Sequence, residues 1–104
     1  MNIRILDNAK FDLLEGYHFY EASEEHIGSY FLDCLYSDID SLILYAGIHR
    51  MKGGFHWMLS KRFPFAIYYT IEKPYISVHA IIDCRQDPKT IESRIESERT
   101  RRWR

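Results

Sequence analysis

The side chains in this chain best suited to act on a phosphate or a proton are Arg62, His79 and Arg85, with His56 and Tyr68 close to them in sequence. Guanidinium groups neutralise phosphate charge, and an imidazole with an unperturbed pKa of about 6.5 can move protons near neutrality. Strict alternation along the strands predicted below puts Arg62, His56 and His79 on one sheet face. There they would form a basic site in which His79 serves a ribonuclease as acid or base. The competing readings are structural. His79 is then a half-buried strand residue bonded to a neighbour, Arg62 pairs with an acid, and Arg85, beside Asp83 and Asp87, holds a strand-to-helix corner. Tyr68 is the aromatic expected at the surface, where it could stack on a base. Phe55, Trp57, Phe65 and Tyr69 are expected in the core. His18, His26, His49, His56 and His79 show no metal-ligand spacing, so neither metal nor cofactor is expected.

A second group of candidates lies at the C-terminus: Arg99, Arg101, Arg102 and Trp103, in a run that suits contact with nucleic acid or with an acidic protein segment. Charge is distributed unevenly along the chain. The net formal charge is −1, yet residues 1–46 sum to −7, while 47–84 and 85–104 each sum to +3. The basic half therefore either meets an anionic partner or is a solvated surface.

The elements that must position these groups are legible from periodicity. Phe65, Ile67, Tyr69 and Ile71 alternate with Ala66, Tyr68 and Thr70. Ile76, Val78, Ala80 and Ile82 alternate with Ser77, His79 and Ile81. Two such β-branched and aromatic runs predict sheet strands, joined by a turn at Glu72-Lys73-Pro74, with one apolar face in need of a cover. Phe55, Trp57 and Leu59 start a further strand, and Ile3 to Leu6 a short one. Leu13, Tyr17 and Tyr20 mark a helix from about Ala9 to Glu25, with Asn8 as N-cap. Phe31, Leu35, Ile39, Leu42 and Ala46 mark a second, capped by Ser29 and stopped by Gly47. The two form an antiparallel hairpin, which is the cover the sheet requires. Residues 48–54 are expected to be a mobile loop. Asp87-Pro88 opens a last helix, about 87–104, whose narrow Ile91/Ile95 stripe predicts a labile attachment.

The order is thus β-α-α-β-β-β-α in one domain spanning 1–104: an α+β fold with an antiparallel-dominated twisted sheet and a helical hairpin on one face. No run approaches a membrane span, and the N-terminus lacks a signal peptide's apolar stretch, so the expected location is the cytoplasm. Cys34 and Cys84 are expected to be reduced packing residues.

With this order, Phe19-Tyr20-Glu21-Ala22, Gly28 with Phe31 and Leu35, Phe63 to Tyr69, and above all the junction Ala80 to Pro88 resemble the RelE/ParE superfamily of toxins from bacterial type II toxin–antitoxin modules. The resemblance covers Ile3 to Ile95 and implies a toxin neutralised by a cognate antitoxin in a hetero-oligomer. In the RelE kind, which cuts ribosome-bound mRNA without a metal, Arg85 matches one site arginine. A second arginine would fall at Ala66 and a tyrosine at Ile91, and neither is present. These departures bring the chain closer to the ParE (plasmid stabilisation) branch, which inhibits DNA gyrase by binding. The implied reading is therefore a growth-inhibiting gyrase poison. An mRNA interferase and a non-toxic peptide-binding adaptor are the alternatives. Catalysis is not the favoured expectation, and Arg62, His79 and Arg85 are its only candidates. The same three, with Tyr68 and the C-terminal group, are the candidates for antitoxin or target binding.

Overall fold

The computed structural model describes residues 1–102, so Trp103 and Arg104 lie outside the described residues. The chain runs β1 (Asn2–Ile5), α1 (Asp7–Ser23), α2 (Ile27–Asp40), α3 (Leu42–Tyr45), β2 (Met51–Lys52), β3 (Phe55–Leu59), β4 (Phe65–Glu72), β5 (Tyr75–Asp83) and α4 (Pro88–Arg102). One five-stranded sheet has the order β1-β5-β4-β3-β2; β1 pairs with β5 in parallel and all other pairs are antiparallel. This is the expected α+β architecture with a hairpin of α1 and α2 on one face.

The helix boundaries differ from expectation for local reasons. Leu6 still donates its amide to Val78 O (3.0 Å), so the chain passes straight from β1 into α1 and Leu6, not Asn8, is the N-cap residue. Ser29 does not cap α2 either. His26 takes a left-handed conformation (φ 75°), and the Glu21 carboxylate of α1 accepts from His26 N (3.0 Å) and Gly28 N (2.9 Å). Two orphan donors at the start of α2 are thus satisfied by the preceding helix. These bonds, the one to His26 foremost, hold the Glu21 carboxyl below its usual range. The second helix is also interrupted. The Ser41 hydroxyl bonds back to Asp38 O (2.6 Å), competing with the helical ladder, and α3 follows as a separate turn ended by Gly47 at φ 98°.

Two close approaches fix the hairpin. A Cβ on Gly16 would stand 2.5 Å from the Phe31 ring, and one on Gly28 would stand 2.6 Å from Tyr17 O. Phe31, Leu35, Ile39 and Leu42 pack with Leu13 against Phe65, Ile67, Tyr69, Ile76, Val78 and Ile81 as the main core.

The expected mobile loop at 48–54 is instead a small hairpin: β2 pairs with β3 through Gly53 and Gly54, both at positive φ. Strict alternation also fails in β5. Tyr68 pairs with Ala80 and Tyr69 with Val78, leaving His79 as the extra residue of a β-bulge. Beyond the bulge the faces exchange, so Ile81 joins the main core. Ala80 and Ile82 instead lie in a second cluster with Phe55, Ala66, Tyr68 and Ile95, flanked by half-buried Trp57 and Ile91. Phe55 is thus a core residue as expected and Trp57 only a half-buried one, both on the face under α4.

Candidate functional site

The sheet face expected to be the working surface is covered. α4 lies over it, leaving Ala66, Tyr68 and His79 buried, so Tyr68 is not the surface aromatic that alternation implied. Burial raises the pKa of the Tyr68 phenol, with the neighbouring Cys84 thiol acting in the same direction. Ala66 and Ile91, which stand where the resemblance would put an arginine and a tyrosine, are both part of this second apolar cluster.

His79 is the polar residue inside it, at 6% exposure. Its Nε2 is 2.8 Å from Thr70 Oγ1, and that hydroxyl donates its one proton to Glu72 Oε1 (2.8 Å). Nε2 must therefore carry the hydrogen and donate to Thr70, which fixes the neutral tautomer. The Phe55 ring meets the imidazole edge-on at 4.9 Å. Burial pushes the His79 pKa below its ordinary value. Glu72 and Glu98 oppose the shift; Arg102 and Arg4 reinforce it. The Glu72 carboxyl is itself held low, first by the Thr70 hydroxyl. The ring borders a pocket of about 350 Å³ with Asn8, Glu98, Arg101 and Arg102.

Arg62 and Arg85 lie elsewhere, on neighbouring loops at the opposite end of the β4–β5 pair. Phe65 faces Asp83, and Cys84 N donates to Pro64 O (2.8 Å), so the β3–β4 loop carrying Arg62 lies beside the β5–α4 corner carrying Arg85. Arg85 donates from Nε and Nη2 to the two oxygens of Asp83 (3.0 and 2.9 Å) and from Nη2 to Tyr20 Oη (3.2 Å), with the Phe19 ring 5.9 Å away. It does hold the corner. Burial would raise the Asp83 carboxyl, but the Arg85 side chain and amide outweigh it and keep that group below its usual range. Arg62 is exposed at the same end. His56 belongs to neither place. It stacks on Tyr69 on the hairpin side (5.1 Å, 21°), so Arg62, His56 and His79 are not assembled into one basic site.

The C-terminal arginines divide in a similar way. Arg101 and Arg102 line the pocket beside His79, and Arg102 Nη1 reaches Gly54 O (3.3 Å). Arg99 pairs with Glu96 on the outer surface of α4. Trp103 lies outside the described residues.

Two constellations were not visible in the sequence. Buried Asp12 accepts from Ile81 N (2.9 Å) and from both terminal nitrogens of Arg94 (2.8 and 2.7 Å). Arg94 also bonds Glu98 (2.8 Å), which accepts in turn from Asn8 (3.1 Å). The hydrogen bond to Asp12 is the main reason the Arg94 pKa is raised. This lash ties α4 to α1. The i,i+4 spacing of Arg94 and Glu98 was a local hint, whereas Asp12 is 82 residues away. The second constellation is Tyr69, whose hydroxyl lies 2.6 Å from His49 Nδ1 and accepts from Gly47 N (3.0 Å). Burial, and then the charge of His56, lower the His49 pKa.

Among the described residues no group of histidine, cysteine and carboxylate side chains is placed to hold a metal ion, and no helix is long and apolar enough to cross a membrane. Both cysteines are free; Cys34 packs at the margin of the main core and Cys84 is exposed.

A mixed five-stranded sheet with a helical hairpin on one face and a C-terminal helix on the other defines the class of fold. The same fold is found in a chain of the chromosomal ParDE TA system from P. aeruginosa, with a TM-score of 0.74 at 18% identity, over 80% of this chain and 95% of that one. No family model matches the sequence, and no curated protein does. The resemblance drawn from the sequence thus holds at the level of the fold.

Proposed function

We propose that the protein is the toxin of a type II toxin–antitoxin module and that it acts by binding, with DNA gyrase as the target, rather than by cutting RNA. The fold it shares with a chain of a ParDE TA system supports the module. The observation that carries the choice of mechanism is the second apolar cluster. Ala66, beneath α4, and Ile91, on α4 itself, occupy the two positions where nuclease side chains would be wanted, and both pack in the cluster of Phe55 and Tyr68. His79, the remaining acid–base candidate, is buried and already committed to Thr70. A messenger RNA phosphate in the adjoining pocket would meet an imidazole only 6% exposed whose Nε2 proton is already donated.

In this reading the toxin is held inactive in the cytoplasm by a cognate antitoxin in a hetero-oligomeric complex. Arg62 and Arg85, with exposed Phe19 and Tyr30 nearby, form a surface suited to binding rather than turnover. The ribosome-dependent interferase remains the second reading because Arg85 stands at the matching corner, but its guanidinium is engaged by Asp83.

The test is expression in a bacterial host, with plasmid supercoiling and primer extension on cellular mRNA measured in parallel. The expected outcome is arrested growth and loss of supercoiling without new mRNA ends, reversed by co-expressing the product of the adjacent short reading frame. New mRNA ends that vanish in Arg85→Ala would favour the interferase. Unimpaired growth would sink the active-toxin reading and leave the adaptor.

A further inference from the structure

A further exposed apolar surface lies beside the His49–Tyr69 pair, away from the His79 pocket. Leu44 (79%), Ile48 (74%), Met51 (60%) and Leu59 (57%) are open to solvent where α3, the following loop and the β2–β3 edge meet. Between Tyr45, Ile48, Met58 and Leu59 lies a groove of about 380 Å³ with Lys61 at its rim. Exposed large apolar side chains gathered around a groove mark an interaction surface.

The backbone beside this groove is also open. β2 covers β3 only at Phe55 and His56, and Trp57 N is taken by Arg50 O (2.9 Å). Ser60 N donates to Phe65 O (2.8 Å), so by the alternation of an antiparallel ladder Ser60, Met58 and His56 face β4. The amide and carbonyl of Leu59 then project outward, where no further strand lies among the described residues. Such an edge is a template for an added strand. The electrostatics select its chemistry. From Ser41 to Ile71 the chain contains no aspartate or glutamate and carries Arg50, Lys52, Lys61 and Arg62, all exposed around this edge. The acid that lines the groove, Asp38, is buried and already accepts from Ser60 Oγ (2.6 Å) and Lys61 N (3.3 Å).

We infer that the β3 edge and the adjoining groove take an extended, acidic segment of a partner protein, which adds as a strand beside Leu59 and places an apolar side chain between Ile48 and Met58. The inference gives the partner of the proposed module a surface, and it rests on that reading only for the partner's identity. The charges flanking the edge disfavour a second copy, because two such edges would bring like charges together.

The test has two arms. In the first, the isotope-labelled chain is titrated with a short synthetic peptide alternating glutamate with valine and with its lysine counterpart. The expected result is amide shifts confined to Ile48, Leu59, Lys61 and their neighbours, with the glutamate peptide binding roughly tenfold more tightly. The double variant Lys52→Glu/Lys61→Glu, changed only at exposed positions outside the Arg62–Arg85 surface, should reverse that preference. Equal affinities, shifts elsewhere, no shifts, or self-association of the free chain through Leu59 would each overturn the inference. In the second arm the tagged chain is co-expressed with the product of the adjacent short reading frame. Co-purification that falls roughly tenfold in the double variant supports the surface. Undiminished recovery overturns the surface and leaves the toxin–antitoxin reading standing. If the wild-type chain recovers nothing while the glutamate peptide binds, the surface stands and the module reading fails.

Discussion

The two faces of the sheet are covered by different physics. On one, the α1–α2 hairpin and α3 bury Phe31, Leu35, Ile39 and Leu42 almost completely against Phe65, Ile67, Tyr69 and Val78. On the other, α4 buries Ile95, half-buries Ile91, and otherwise depends on Arg94, Asp12, Glu98 and Asn8. The first cover is non-directional and gains strength with apolar area. The second is directional and rests on a few charged groups that must stay matched, since a buried charge left alone is costly. One sheet can therefore hold one helical layer tenaciously and another conditionally.

This contrast can be broken or sharpened by a graded set of changes. The largest effect is expected from Leu35→Ala in the hairpin face, which should cost about 3 kcal/mol through lost burial and the cavity left behind. Urea unfolding followed by far-ultraviolet circular dichroism and by tryptophan fluorescence should shift together. A shift in one probe alone would mean that the hairpin is not the cooperative core. Arg94→Ala comes next. It strands the Asp12 carboxylate and should cost roughly 2–3 kcal/mol, somewhat less than a fully buried pair because Arg94 is partly exposed. Hydrogen exchange should quicken in residues 88–102 while the α2 amides keep their protection. Uniform quickening would erase the distinction between the faces.

A smaller effect should follow pH. The folded-state pKa values of His79 and His49 are both lowered by burial. The unfolded chain therefore takes up these protons first. The stability that each neutral imidazole contributes is present above about pH 6.5 and is lost as the pH falls through the folded value. The slope of unfolding free energy against pH between 7 and 5 should flatten in His79→Gln, and an unchanged slope would remove His79 from the account. The smallest effect belongs to Arg85→Ala, whose exposed pairing with Asp83 is worth about 0.5 kcal/mol. That variant should melt almost as the wild type does, leaving any loss of toxicity attributable to binding.

The difference between the faces also explains what could be read in advance. The hairpin face was legible because its stripe repeats at helical spacing and its strands alternate, so Phe31, Leu35, Ile39, Phe65, Ile67 and Tyr69 announce their roles one residue at a time. The α4 face was not. Its cover depends on Asp12 meeting Arg94 from far along the chain, and on a bulge at His79 that no local pattern marks. A single extra residue sends Ala80 and Ile82 to the α4 face and Ile81 to the hairpin face, and strict alternation misassigned all three. The candidate site suffered from the same error. Arg62 and Arg85 fall at the same end of the sheet because the ends of paired strands are adjacent, whereas His56 and His79 were grouped by a face they do not share. Glu21 shows a different limit: a cap supplied across a turn by another helix leaves Ser29, the obvious local choice, unused.

The two hairpin glycines have one more consequence. Phe31 of α2 fills the space that a side chain at Gly16 would need, while Gly28 of α2 lies against the backbone of α1 at Tyr17. Each helix thus yields room to the other at one point, like two links of a chain. The distance between the helices is set where side chains are missing, so no substitution at either position can be absorbed by a small adjustment of a neighbour. Surface residues and even core residues can drift in compensating pairs. Gly28 meets backbone and has no compensating partner, whereas a side chain at Gly16 would have to be matched by a smaller one at position 31, and together they bound the range of sequences that this hairpin can accept.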